Sequence, residues 1–229
     1  MKKILFLNGF GQDLNSVPNF IKDIAYIPDY LKYNDIDLLF KDIQNFGTSY
    51  DLVIGWSLGA AIVLEGLEQN IFTTKSIILL APFVTFIKDN KNPYGIEQIE
   101  FEDFRTNLKK DPKKTLKDFS ALIALAKRPE KQILNILNNA EEIPANNLLY
   151  WLDKLENFSG LNLTANNKIS VTIINGKNDR VVNYKQTQFF TKKFSKLKII
   201  SLENCAHAPH LHDENLFKKI VEDELSKNK

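Results

Sequence analysis

Cysteine is almost absent from this chain. The only one in 229 residues is Cys205, so no intrachain disulfide can form, and a reducing cytoplasm is the expected location. Histidine is scarce too: the three copies are His207, His210 and His212, so any chemistry that needs an imidazole must draw on one short stretch. No apolar run approaches the roughly 18 residues of a membrane-spanning helix, and no membrane partner is expected. Charge of one sign is also lacking. The 30 Lys and Arg face 28 Asp and Glu, a net +2, which supplies no overall electrostatic footprint for nucleic acid. Gly/Ser linkers, internal repeats and low-complexity tracts are missing, so a single soluble domain, expected as a monomer, is the starting point.

What is present is an ordinary globular balance of 44% hydrophobic and 25% charged residues. Short runs rich in Ile, Leu, Val and Phe alternate with longer amphipathic stretches, the pattern of a mostly parallel sheet flanked by helices. The predicted strands are 3–7, a weak one near 24–27, 52–55, 76–80, 170–174 and 198–202. The first is read as a strand rather than a leader because Gly9 and Asp13 interrupt it early. Predicted helices cover 31–45, 58–69, 184–194 and 214–226. Residues 83–163 hold no sheet-like run. They are read as a helical insertion in a core formed by 1–82 and 164–229, with helical spacing over 113–127, 129–139 and 146–155.

The strongest chemical signal is Gly55-Trp56-Ser57-Leu58-Gly59, which follows the apolar run Leu52-Val53-Ile54 and leads into Ala60-Ala61-Ile62-Val63-Leu64. A nucleophilic serine on a tight strand-to-helix turn needs small residues two places away on each side, and Gly55 and Gly59 supply them. The same turn puts Ser57 at a helix amino end, with the Leu58 amide available to a developing oxyanion. Its base must be a histidine. His207, a few residues beyond the last strand, is placed to reach the carboxyl edge of the sheet; His210 and His212 read as a loop residue and a helix-start residue. The spacing His-x-x-His-x-His beside Asp213 also admits a metal site, but that reading leaves the serine motif unexplained. Asp179, in the Gly-containing loop after strand 170–174, is the candidate acid that orients the imidazole. The loop Asn8-Gly9-Phe10-Gly11-Gln12 after the first strand offers the Phe10 amide as a second oxyanion donor. Cys205 is read as buried strand filler near the base.

Three motifs carry a family resemblance: Gly55-Trp56-Ser57-Leu58-Gly59, Gly176-Lys177-Asn178-Asp179-Arg180-Val181-Val182, and Ala206-His207-Ala208-Pro209. With the order Ser57, Asp179, His207, the chain resembles the pimeloyl-[acyl-carrier protein] methyl ester esterases of biotin synthesis, carboxylesterases of the α/β-hydrolase fold. It departs from them at Asn8, where relatives usually carry His before the Gly. The resemblance implies hydrolysis of a methyl ester on a pimeloyl chain held by acyl carrier protein, with no metal or organic cofactor and with the insertion acting as a lid. Between Phe104 and Lys131, nine positive residues stand against three acidic ones, and Lys113, Lys114, Lys117, Lys127, Arg128 and Lys131 are candidates for docking an acidic carrier protein. Trp56, Phe83, Phe119 and Trp151, with Phe86 and Leu122, are candidates for an apolar substrate pocket. Other hydrolases of the same fold (a small-ester carboxylesterase, a thioesterase, a C–C hydrolase) and an inactive binding protein remain alternative readings.

Overall fold

The computed structural model describes residues 2–29, 32–138, 143–164 and 166–227. Among these, the strands are β1 (Ile4–Leu7), β2 (Ala25–Tyr26), β3 (Ser49–Tyr50), β4 (Leu52–Trp56), β5 (Thr73–Thr74), β6 (Ser76–Leu80), β7 (Asn166–Gly176) and β8 (Phe194–Leu202). Six form one sheet in the order β2-β1-β4-β6-β7-β8, with every neighbouring pair parallel. All five residues of β4 and of β6 are buried, so both faces of the central strands are covered, which is why they read as unbroken apolar runs. Chain order reverses between β1 and β4. The loops leaving those two strands therefore border the crevice in which open parallel sheets collect ligands.

The helices are α1 (Asn19–Lys22), α2 (Ile36–Phe46), α3 (Leu58–Glu68), α4 (Gln98–Lys110), α5 (Pro112–Ile123), α6 (Lys131–Leu137), α7 (Ala145–Asn157), α8 (Pro209–His212) and α9 (Glu214–Ser226). In α2 the Asp35 side chain caps the Asp37 amide, and Ile36, Leu39, Phe40 and Ile43 form the buried stripe. Helix α9 is tied to the sheet by Glu224, which accepts hydrogen bonds from Ser76 and Thr172 on the facing strands. Helices α4 to α7 all lie between β6 and β7.

The sequence-based elements hold in outline, with several corrections. The predicted helices 31–45 and 129–139 each touch a position outside the described residues, Leu31 and Asn139; the observed helices are α2 and α6. Helix α5 stops at Ile123, short of Lys127, where the Ala124 carbonyl accepts the Glu130 amide at 2.8 Å in place of a helical partner. The segment Tyr184–Lys192 is a 3₁₀-helix rather than α, and the Thr187 and Thr191 hydroxyls occupy the Tyr184 and Gln188 carbonyls. Cys205 is buried but not in a strand: β8 ends at Leu202, and Asn204 turns the chain with φ 54°. Helix α4, with apolar Phe101, Phe104 and Leu108 thinly spaced among charges, had not been delimited.

Candidate active site

Ser57 closes β4 and opens α3. Its φ of 54° is strained for a residue with a side chain, and its amide is held by the Leu80 carbonyl at 2.9 Å. Its hydroxyl makes no cap bond to α3 and is left available for chemistry. The flanking glycines are demanded by close approach. A Cβ on Gly55 would come within 2.6 Å of the Gly59 carbonyl, and one on Gly59 would overlap the carbonyl of Leu7 on β1. Leu58, the first residue of α3, has one of the four amides that a helix leaves without an internal partner.

The acid and the base approach from β7 and β8. Asp179 Oδ1 accepts the amides of Val181 and Val182 at 2.8 and 2.9 Å, which turns Oδ2 toward His207 Nδ1 at 2.7 Å. A carboxylate only accepts, so Nδ1 carries the proton and Nε2 presents its lone pair. Nε2 is buried with no hydrogen-bond partner among the described residues. Both side chains are shielded from solvent, and Ser57 is only 4% exposed. Strand β8 lies three positions from β4, roughly 14 Å at the usual strand spacing. The 203–207 loop must therefore cross back over the sheet edge. It does so along the acid loop: the Asn178 amide donates to the Cys205 carbonyl at 3.0 Å, and a Cβ on Gly176 would strike the Cys205 and Ala206 carbonyls.

The loop after β1 turns at Gly9–Gln12, with the Gln12 amide on the Gly9 carbonyl at 3.2 Å and Gly11 at φ 68°. In such a turn the Phe10 amide takes no part in the closing bond. Asn8 braces the loop: its amide group donates to the Asp13 carbonyl at 2.5 Å and accepts from the Ser16 hydroxyl at 3.0 Å.

The fold matches solved structures. An esterase from Exiguobacterium antarcticum superposes with a TM-score of 0.78, covering 99% of this chain and 92% of that one at 16% identity. The chain has the α/β-hydrolase fold. Its sequence relatives agree with the motif resemblance. The pimeloyl-[acyl-carrier protein] methyl ester esterase of Aromatoleum aromaticum is 23% identical over 75% of this chain and 72% of its own length. The bifunctional biotin biosynthesis protein BioHC of Teredinibacter turnerae is 25% identical over 91% of this chain, which spans 42% of that longer protein. No family model matches. Fold and relatives support a hydrolase function.

The inserted helices divide the remaining candidates. Phe119 of α5 and Phe104 of α4 pack edge-on against Phe10, with centroids at 6.0 and 6.1 Å. Both also line a cavity of about 450 Å³ with Leu122, Lys110 and Lys114. Phe83 sits in a second aromatic cluster with Phe86 and Phe158. Neither tryptophan takes the pocket-wall setting expected of it. The Trp151 indole N–H donates to the Tyr33 carbonyl at 2.9 Å and its ring packs against Tyr150, anchoring α7 to the core. Trp56 is fully buried, and its N–H donates to the His207 carbonyl at 2.8 Å. Lys113, Lys114, Lys117, Lys127, Arg128 and Lys131 are all exposed. Arg105, by contrast, is engaged with Asp153 and Glu156 of α7.

The three histidines have three different settings. His210 is fully buried, donates from Nε2 to the Ser16 carbonyl at 3.1 Å and lies 4.6 Å from the Trp56 ring; burial pushes its pKa down to about 3. His212 pairs with Glu130 at 2.6 Å, joining the base-bearing loop to the α5–α6 segment. Among the described residues no cluster suits a metal ion. Burial pushes the Cys205 thiol well above its ordinary pKa, which makes it a poor nucleophile. Sequence reasoning missed Ile123, whose carbonyl accepts the His207 amide at 3.2 Å; nothing in the local pattern links the two.

Proposed function

We propose that the hydrolase is a serine carboxylesterase acting on the methyl ester of a pimeloyl chain borne by acyl carrier protein, in biotin precursor synthesis. The observation that carries the chemistry is the Asp179–His207 pair, oriented so that Nε2 is left unpartnered at the sheet edge that also bears the strained Ser57. In this scheme His207 Nε2 takes the Ser57 proton as Oγ bonds to the ester carbonyl carbon, and Asp179 stabilises the imidazolium. The Phe10 and Leu58 amides receive the oxyanion. Collapse breaks the bond to the methoxy oxygen, which takes the proton from His207 and departs as methanol. Water then loses a proton to Nε2 and attacks the acyl-enzyme, and the second collapse frees the acid and restores Ser57. No metal or organic cofactor enters the scheme.

The substrate is proposed from the likeness to pimeloyl-[acyl-carrier protein] methyl ester esterases, and features of the insertion are consistent with it. Residues 83–163 act as a lid over the core 1–82 and 164–229. In this reading Phe119, packed against Phe10, and Phe83 supply apolar contacts to the acyl chain. The six exposed basic residues suit an acidic carrier, and the single reduced cysteine suits the cytoplasm.

Methanol release from pimeloyl-acyl carrier protein methyl ester, compared between wild type and Ser57→Ala, tests the proposal. Cleavage lost in the variant supports it. Absence of cleavage in a wild type whose Ser57 reacts with a fluorophosphonate would retain a serine hydrolase and discard this substrate. Lys113→Glu with Lys117→Glu should raise KM for the carrier-bound ester while leaving a small soluble ester unaffected.

A further inference from the structure

We propose that Trp56 is a positioning residue for the base, holding the main chain of His207 in register with the nucleophile. The inference rests on the triad reading above. The 203–207 loop arrives from an edge strand three positions away, so the imidazole is only as well placed as the backbone that carries it. That backbone is fixed on both sides: its amide donates to the Ile123 carbonyl at the end of α5 at 3.2 Å, and its carbonyl accepts the Trp56 indole N–H at 2.8 Å. Trp56 immediately precedes Ser57, so the second bond ties the main chain of the base to the nucleophile's own strand.

The same ring serves the candidate oxyanion loop. A Cβ on Gly9 would lie 3.0 Å from Trp56 Cε3, so the indole forms the floor under the Gly9–Gln12 turn. It also contacts His207 with ring centroids 5.9 Å apart. One buried side chain thus touches the loop after β1, ends β4 and holds the loop after β8. Phenylalanine would preserve much of the packing but would leave the buried His207 carbonyl without this donor, and a buried acceptor left unpaired is costly. Tryptophan is required here for its N–H as well as for its volume.

The test compares Trp56→Phe with Tyr50→Phe. The control removes an equally buried bond, from the Tyr50 hydroxyl to the Ile43 carbonyl at 2.9 Å, away from the site. For Trp56→Phe, kcat should fall roughly tenfold or more with KM within about twofold, and fluorophosphonate labelling of Ser57 should slow in parallel. Tyr50→Phe should melt at lower temperature yet keep kcat and labelling rate. If Trp56→Phe does not fold, benzothienylalanine at position 56 keeps the ring shape, removes only the N–H, and should show the same kcat loss. Unchanged kcat and labelling in whichever Trp56 replacement folds overturns the inference. So does a loss of activity in both variants proportional to their loss of stability. A Ser57→Ala protein that stays active would instead overturn the triad reading, so the two failures are distinguishable.

Discussion

His210 should make this protein acid-sensitive well above the range in which carboxylates titrate. The ring is fully buried among Trp56, Phe6 and Phe217, and its Nδ1 has no hydrogen-bond partner among the described residues. A proton there would place a charge and an unmatched donor in an apolar setting, so the pKa falls from 6.5 to about 3. The unfolded chain binds that proton near pH 6.5 and the native state does not. Stability is therefore full above pH 6.5 and is lost as the pH falls toward 3. Between pH 7 and pH 5 the loss from this one group is about 2 kcal/mol, with a limiting slope near ~1.4 kcal/mol per pH unit. Any native pKa below about 4 gives nearly the same figure over that interval, because the unfolded titration governs it. In a chain of this size, that corresponds to roughly 4–8 °C in Tm. His210→Gln can still donate an amide proton toward Ser16 but does not titrate. Urea unfolding followed by circular dichroism at several values between pH 7 and pH 5 should show the wild type losing about 2 kcal/mol more than the variant, since the carboxylates common to both cancel. Parallel curves would refute the argument.

Three further outcomes follow from contacts in the structure. Gly11→Ala places a Cβ 2.7 Å from Leu116 Cδ2 at φ 68°; it should cost about 1–3 kcal/mol by thermal melting, with Leu116→Ala restoring only the steric part. Gly59→Ala meets backbone, the Leu7 carbonyl, and should abolish soluble expression, whereas Gly66→Ala meets the side-chain ring of Phe72 at 2.7 Å, which can shift more readily than backbone, and should melt at a lower temperature yet still fold. Burial alone would raise the Glu224 pKa, but hydrogen bonds from Lys227, Ser76 and Thr172 outweigh it and bring the pKa below its ordinary value. The carboxylate thus stabilises the fold above about pH 4.5, and this contribution is lost on acidification; Glu224→Ala should cost about 3 kcal/mol in denaturant unfolding at pH 7.

How far the sequence is legible depends on the range of the interaction. The core strands could be read because burial on both faces forces continuous apolar runs, as in Leu52–Trp56 and Ser76–Leu80. The paired strands β3 and β5 were missed because two residues carry no periodicity. The 3₁₀ segment 184–192 was read as α-helix because its apolar spacing satisfies both, and threonine hydroxyls on nearby carbonyls decide between them. Trp56 reads from the sequence as an apolar pocket candidate, yet the partner of its N–H is 151 residues away.

The sequence by itself determined the parallel α/β architecture, the elbow at Ser57 and the identity of the residues that could serve as acid and base. These demands are local: a tight turn needs Gly55 and Gly59, and a buried strand needs apolar side chains. Only the tertiary structure decided which oxygen of Asp179 faces His207, that Ile123 and Trp56 hold the histidine main chain, and that Asn8 braces the loop after β1. Those pairings join segments far apart in the chain. They exist because the loops from β1, β4, β7 and β8 converge at one edge of the sheet, and no stretch of sequence encodes that convergence alone.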